Sequence, residues 1–247
     1  MKKIQDYPEK RIGQVMMEAQ AAGQSLTTKK FFEYIPDDIY EKHLAYLCEA
    51  GKHVLARENK SFIVDESNEQ VIRFLIHYFN RCRSAESIYP GKGYKLHKNI
   101  ALCGDVGAGK TVLMQAFSVY LRWINSPMQF LNLSVGQMVN YYTLHNNLDK
   151  YTYNEDESKA FQCFPINLCL NDIGLDLTTF YGTNTKDLCS EFLFARSEIW
   201  QFYDKYCHLT TNLSASLLKD YFKDEYSRIN DRFKYYNLIH LSGESRR

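Results

Sequence analysis

The chain has 247 residues, 30 Lys and Arg against 29 Asp and Glu, and seven cysteines. That length supports one α/β domain, or a domain with a smaller helical attachment, and the near balance of charge excludes a global positive field that would draw the whole protein onto nucleic acid. The cysteines show no C-x-x-C spacing and are expected to be buried free thiols rather than metal ligands.

The amino-terminal stretch MKKIQDYPEKR meets charge at Asp6, Glu9 and Lys10, where a secretory signal would need an oily segment. No apolar run approaches the roughly 18 residues of a membrane span. A cytoplasmic protein with no membrane partner is expected. The first sixty residues read as helical, EKRIGQVMMEAQAAGQ and then PDDIYEKHLAYLCEAG, with Pro36 suited to a first helical turn and Gly51 to a helix stop. Such a pair is too small to fold convincingly alone, so residues 1–60 are expected to pack on the rest or on a partner. In DESNEQVIRFLIHYFNR, Ser67 and Gln70 fit a capping box, and Ile72, Leu75, Ile76 and Phe79 make one apolar face. Pro90, Gly91 and Gly93 then mark a turn.

From residue 99 onward, short apolar runs alternate with helical patterns. The runs are 99–104, 128–133, 166–171, 206–211 and 236–241. Five strands separated by helices predict an α/β fold with a mostly parallel five-stranded sheet between helices, because parallel neighbours need long crossovers. In the helix expected over 187–206, Leu188, Phe192, Ala195, Ile199, Phe202 and Tyr206 form a stripe that reads as core.

Between the first strand and its helix lies GDVGAGKT, which satisfies G-x-x-x-x-G-K-[ST] in the strand–loop–helix setting the motif requires. Gly104, Gly107 and Gly109 allow the backbone to curl until its N–H groups converge on phosphate oxygens. The cofactor-binding segment is Gly104, Asp105, Val106, Gly107, Ala108, Gly109, Lys110, Thr111 and Val112. Lys110 is expected on the β- and γ-phosphates of ATP and the Thr111 hydroxyl on Mg2+. A second group belongs at the carboxyl end of a neighbouring strand. The run INLCLNDIG ends there in Asn171 and Asp172, where such strands often carry two acids. Asn171 is neutral and attracts Mg2+ less than Asp would, while Asp172 can position the attacking water or take the metal instead. The same residues are also compatible with a plain polar strand end.

With these motifs in order, the sequence resembles the helicase-loader and transposition-helper ATPases of the DnaC and IstB type within the AAA+ class, over roughly Phe62 to the carboxyl terminus. SFIVDESNEQ looks like that family's lead-in, GDVGAGKT like its phosphate loop, LNDIG like its D-D-[LI]-G strand end, and TTNLS (210–214) like its sensor-one turn. DEYSRINDRF and SGESRR look like its last helix and closing arginines. The resemblance implies an ATPase domain at 61–247 with a reduced or absent lid, and a partner-gripping region at 1–60. It implies homo-oligomers in which Asn212 contacts the γ-phosphate or the lytic water, while Arg228 or Arg232 reaches a neighbouring subunit's nucleotide. Arg246 is a further candidate; each arginine can equally be a solvated helix charge. The implied partners are ATP and ADP, single-stranded DNA, and a replicative helicase or a transposase.

Asn171 departs from the family's first acid and puts turnover in question, which keeps open a nucleotide-gated DNA-binding adaptor that does not hydrolyse. A small-molecule kinase with the same loop is a further alternative, though no basic lid of several arginines is evident. LSGES at 241–245 is like a transporter signature only superficially, since it follows every other motif. For DNA contact, Tyr141 and Tyr142 could stack on bases and Lys150 could meet phosphate. The acids of NEDES at 154–158 oppose that, and core or subunit-interface tyrosines are an equal reading.

Overall fold

The computed structural model describes residues 13–18, 32–154, 164–174, 184–223 and 228–243. The chain groups into two compact units. One comprises Met1–His97, Thr111–Gln129 and Leu241–Arg247, and the other Lys98–Lys110 and Phe130–His240.

In the first unit, residues 13–18 are helical; the rest of the expected first helix lies outside the described residues. Helix α1 (Asp37–Leu55) starts after Pro36, whose extended ψ of 148° makes it the cap, with Asp37 and Asp38 against the positive end of the helix dipole. Gly51 does not stop this helix, which runs on to Leu55. A Cβ at Gly51 would sit 2.2 Å from the Phe62 ring, so glycine serves close packing there.

Helix α2 (Glu69–Phe79) has the expected apolar face, with Ile72, Leu75, Ile76 and Phe79 all buried. Its expected capping box does not form. Asn68 is the cap residue, Ser67 donates from both N–H and hydroxyl to Asp65 Oδ1, and Gln70 Nε2 reaches Ile88 O instead. Ser67 takes this local turn because the Asp65 carboxylate two residues back is a charged acceptor for both of its donors. The turn region that follows contains a short helix, α3 (Ala85–Ile88), before Gly91 and Gly93 take positive φ. Helix α4 (Lys110–Trp123) begins in the second unit and continues, from Thr111, in the first. There Tyr120, fully buried, accepts a hydrogen bond from Asn80 Nδ2 at 2.9 Å.

The second unit holds five strands: β1 (Asn99–Cys103), β2 (Leu131–Ser134), β3 (Leu168–Ile173), β4 (Cys207–Thr211) and β5 (Tyr236–His240). All pair in parallel, in the order β2-β3-β4-β1-β5, as the alternation of strands with helices predicts. Among the described residues, α4 follows β1, and α5 (Val135–His145), α6 (Thr185–Tyr203), α7 (Ala215–Tyr221) and α8 (Arg228–Arg232) lie between the later strands. Ser134 caps α5 in a complete capping box with Gln137. The core joins Leu168, Leu170, Cys207 and Leu209 of the sheet to Met138, Leu188, Phe192, Leu193, Leu218 and Ile229 of the helices.

Helix α6 buries Leu188, Phe192 and Ile199 of the expected stripe, but Phe202 is 78% exposed and Tyr206 lies beyond the helix end. The position the stripe skipped is Arg196, only 1% exposed. Its Nη2 donates to Ile166 O at 2.8 Å and Tyr206 O at 2.9 Å, satisfying carbonyls just ahead of β3 and β4. Burial pushes its guanidinium below the usual arginine range. Six of the cysteines are buried free thiols; Cys163 lies outside the described residues. Among the described residues, no helix is long and apolar enough to cross a membrane.

Candidate nucleotide site

The loop after β1 has the backbone its sequence requires. Gly104, Gly107 and Gly109 take φ of 146°, 88° and 88°, all in the region that side chains disfavour. The Ala108 N–H donates to Asp105 O at 3.3 Å, closing the loop on itself. Lys110, 4% exposed, curls back so that Nζ donates to Gly104 O at 2.8 Å and Asp105 O at 2.7 Å. A buried ammonium needs such acceptors. It is held over the loop, where phosphate oxygens would be stronger partners than carbonyls. Val106 is exposed at the tip. Thr111 and Val112 are half-buried and belong to the other unit. Cys103 beside the loop is chemically quiet: burial pushes its thiol up to about 11, against the opposing charge of Lys110.

The sheet order brings three of the expected tips to one edge. Strand β4 lies between β1 and β3, with Thr211 in register with Cys103 on one side and Ile173 on the other. Gly104 and Asn212 therefore leave adjacent strands at the same end, and Asn212 is exposed there. The end of β3 is irregular. A register shift falls between Leu170 and Ile173, and Asp172 turns to φ 66° while its N–H donates to Thr210 Oγ1 at 3.0 Å. Thr211 Oγ1 donates to Ile173 O at 2.7 Å and accepts from Leu213 N, locking the two tips together. Gly174, at φ 88°, approaches so closely that an added Cβ would meet Leu213 at 2.6 Å.

Asn171 is 3% exposed, and both ends of its amide are hydrogen-bonded. Nδ2 donates to Asn132 Oδ1 at 3.1 Å; Oδ1 accepts from Thr210 Oγ1 at 3.2 Å and from Cys169 Sγ at 3.6 Å. Sequence reasoning missed Asn132 and Thr210. The signal was the in-register position of Asn132 opposite Cys169 on the next strand, legible only once the pairing is known. Asn171 does not fit the magnesium-directed place that the resemblance implies, because it is neutral and already bonded. Among the described residues, no three His, Cys, Asp or Glu side chains gather as a metal group.

The arginines differ in setting. Arg228 is exposed at the start of α8, whereas the Arg232 guanidinium lies 4.2 Å from the centroid of the Phe194 ring and donates from Nη1 to Arg228 O. Arg246 lies outside the described residues. Tyr142 packs against the core of the second unit. Tyr141 stacks on His145 at 4.3 Å, with Lys150 over its ring at 5.7 Å and over the Tyr151 ring at 5.6 Å. The residues 155–158 that would oppose DNA there are outside the described set. A hollow lined by Asn99, Trp200, Ile229 and Tyr236 lies at the amino ends of β1 and β5, the opposite edge from the loop. It has space for about one water and cannot be the nucleotide pocket.

A parallel sheet in this order with a glycine-rich loop after β1 defines the AAA+-like P-loop fold. No family model matches the chain, and no curated protein matches it significantly. Among solved structures, its fold is similar to that of a protein assigned as a primosome component of Streptococcus pyogenes serotype M3, with TM-score 0.52 and 18% identity over 92% of this chain and 99% of that one. DnaI gives TM-score 0.49 and 20% identity over 79% of this chain and 93% of its own. AMPPCP-bound DnaA from Aquifex aeolicus gives 0.46 and 18% over 73% of this chain, which spans about half, 48%, of that structure.

Proposed function

We propose that this protein binds ATP and hydrolyses it weakly, assembles with copies of itself, and loads or regulates a DNA machine, either a replicative helicase or a transposase. The observation that carries the nucleotide part is Lys110, held over the loop on the Gly104 and Asp105 carbonyls. A triphosphate fits this cradle: the loop N–H groups and Lys110 would hold its phosphates, Thr111 its metal-facing side, and the polar tips at Asp172 and Asn212 would stand near the terminal phosphate. Bound there, ATP supplies an activated phosphoryl group. Asp172 would orient water, and Arg228 of one copy would serve a neighbour's site. The DNA machine and the partner-gripping role of residues 1–60 rest on the resemblance of motifs in order, and the likeness to a primosome component accords with them. Tyr141, with Lys150 beside it, is the candidate contact for single-stranded DNA.

The engaged Asn171 amide favours a second reading, in which nucleotide orders the assembly without repeated turnover. The experiment is ATP turnover by the natural chain and Asn171→Asp, with and without single-stranded DNA. Slow turnover that rises in Asn171→Asp and with DNA is expected. No turnover in either, with binding intact, selects the adaptor. Rapid turnover by a monomer without DNA contradicts both readings.

A further inference from the structure

We infer that the pocket binds adenine nucleotide almost independently of magnesium, because a chain of uncharged hydrogen bonds stands where a metal-directed acid would be. This rests on the nucleotide reading above and specifies how that site behaves.

The bonds run in one direction across three strands. The Asp172 N–H donates to Thr210 Oγ1, Thr210 donates to Asn171 Oδ1, and Asn171 Nδ2 donates to Asn132 Oδ1. Cys169 Sγ donates to the same Asn171 oxygen. A carboxamide oxygen has two lone pairs, and here both are taken. A metal-bound water arriving at Asn171 would find no acceptor, and displacing either donor would leave a buried polar group unpaired. With Asn132 oriented as it is, turning Asn171 the other way would set the Asn171 oxygen against Asn132 Oδ1.

Charge leads to the same conclusion. Magnesium is a hard cation that takes one or two carboxylates besides the phosphates. Asn171 contributes no charge, so the protein's net pull on the ion falls to what remains beyond this network. An acid at 171 would also repel a triphosphate lacking its metal, and Asn171 does not. Both effects narrow the difference between ATP bound with magnesium and ATP bound without it. Asn132 and Thr210 are thus positioning residues, acting through Asn171.

The test is titration of the natural chain with N-methylanthraniloyl-ATP in excess magnesium chloride and in excess EDTA, read as two dissociation constants. A ratio below about fivefold is expected. A ratio above about fivefold in favour of magnesium overturns the inference while leaving the nucleotide reading standing. Absence of binding in both buffers removes the nucleotide reading and this inference with it. The same pair of titrations on Asn171→Asp should show the ratio rising to about tenfold or more, since a carboxylate restores metal dependence. An unchanged ratio in a folded Asn171→Asp also overturns it. The comparison in the natural chain decides even if that variant fails to fold.

Discussion

Tyr120 Oη lies 2.7 Å from His43 Nδ1 in the core of the first unit. Asn80 Nδ2 donates to the same phenol oxygen at 2.9 Å, so the phenol is bonded to both the amide and the imidazole. This ties α1, α2 and α4 together by one side chain. Tyr120→Phe should therefore unpair His43 Nδ1 and cost about 1 to 3 kcal/mol in urea unfolding. No change in the midpoint would show the pair to be idle.

The same histidine sets a pH dependence. Burial lowers His43 from the usual imidazole value to about 4. His208 is lowered by burial to about 3, and His77 is lowered by burial as well. In each case the folded state favours the neutral ring, so stability is whole above the unfolded value near 6.5 and is lost as pH falls toward the folded one. His43 alone should remove about 2 kcal/mol by pH 5. Urea midpoints at pH 7.5 and pH 5 check this, and equal midpoints would contradict it.

Gly174 cannot carry a side chain at φ 88° without meeting Leu213. Gly174→Ala should cost about 2 to 4 kcal/mol, from left-handed strain plus overpacking. Because the contact joins the β3 and β4 tips, nucleotide affinity should fall more than global stability accounts for. A variant with natural melting and natural ATP affinity would mean that the tips need no such closeness.

The two arginines of α8 should separate. Arg232 is stacked on Phe194, so Arg232→Ala should cost about 1 kcal/mol of stability. Arg228 is exposed, and Arg228→Ala should change melting by no more than about 0.5 kcal/mol while lowering turnover in the assembled state by about tenfold or more. Turnover at high protein concentration, compared between the two variants, checks the assignment; loss in Arg232→Ala alone would reverse it.

How much of this was legible in the sequence depends on the range of the forces involved. The five strands, the loop glycines and the α2 face follow from local alternation and spacing, and they stand as expected. The helix stop placed at Gly51 failed because the glycine answers to Phe62, eleven positions along and invisible to local pattern. The α6 stripe missed Arg196 because a charged residue reads as exposed unless one knows that the carbonyls of Ile166 and Tyr206 await it. The amide chain at Asn171 depends on strand register and on the irregular end of β3, neither of which a single strand's sequence contains.

The central claim is that the loop from Gly104 to Lys110 holds a triphosphate. Calorimetric titration of ATP into the natural chain and into Lys110→Ala tests it most directly. Saturable heat in the natural chain, with binding weakened at least about a hundredfold in a variant that still folds, is the predicted result. A flat titration of the natural chain, or equal affinity in the two proteins, would contradict it.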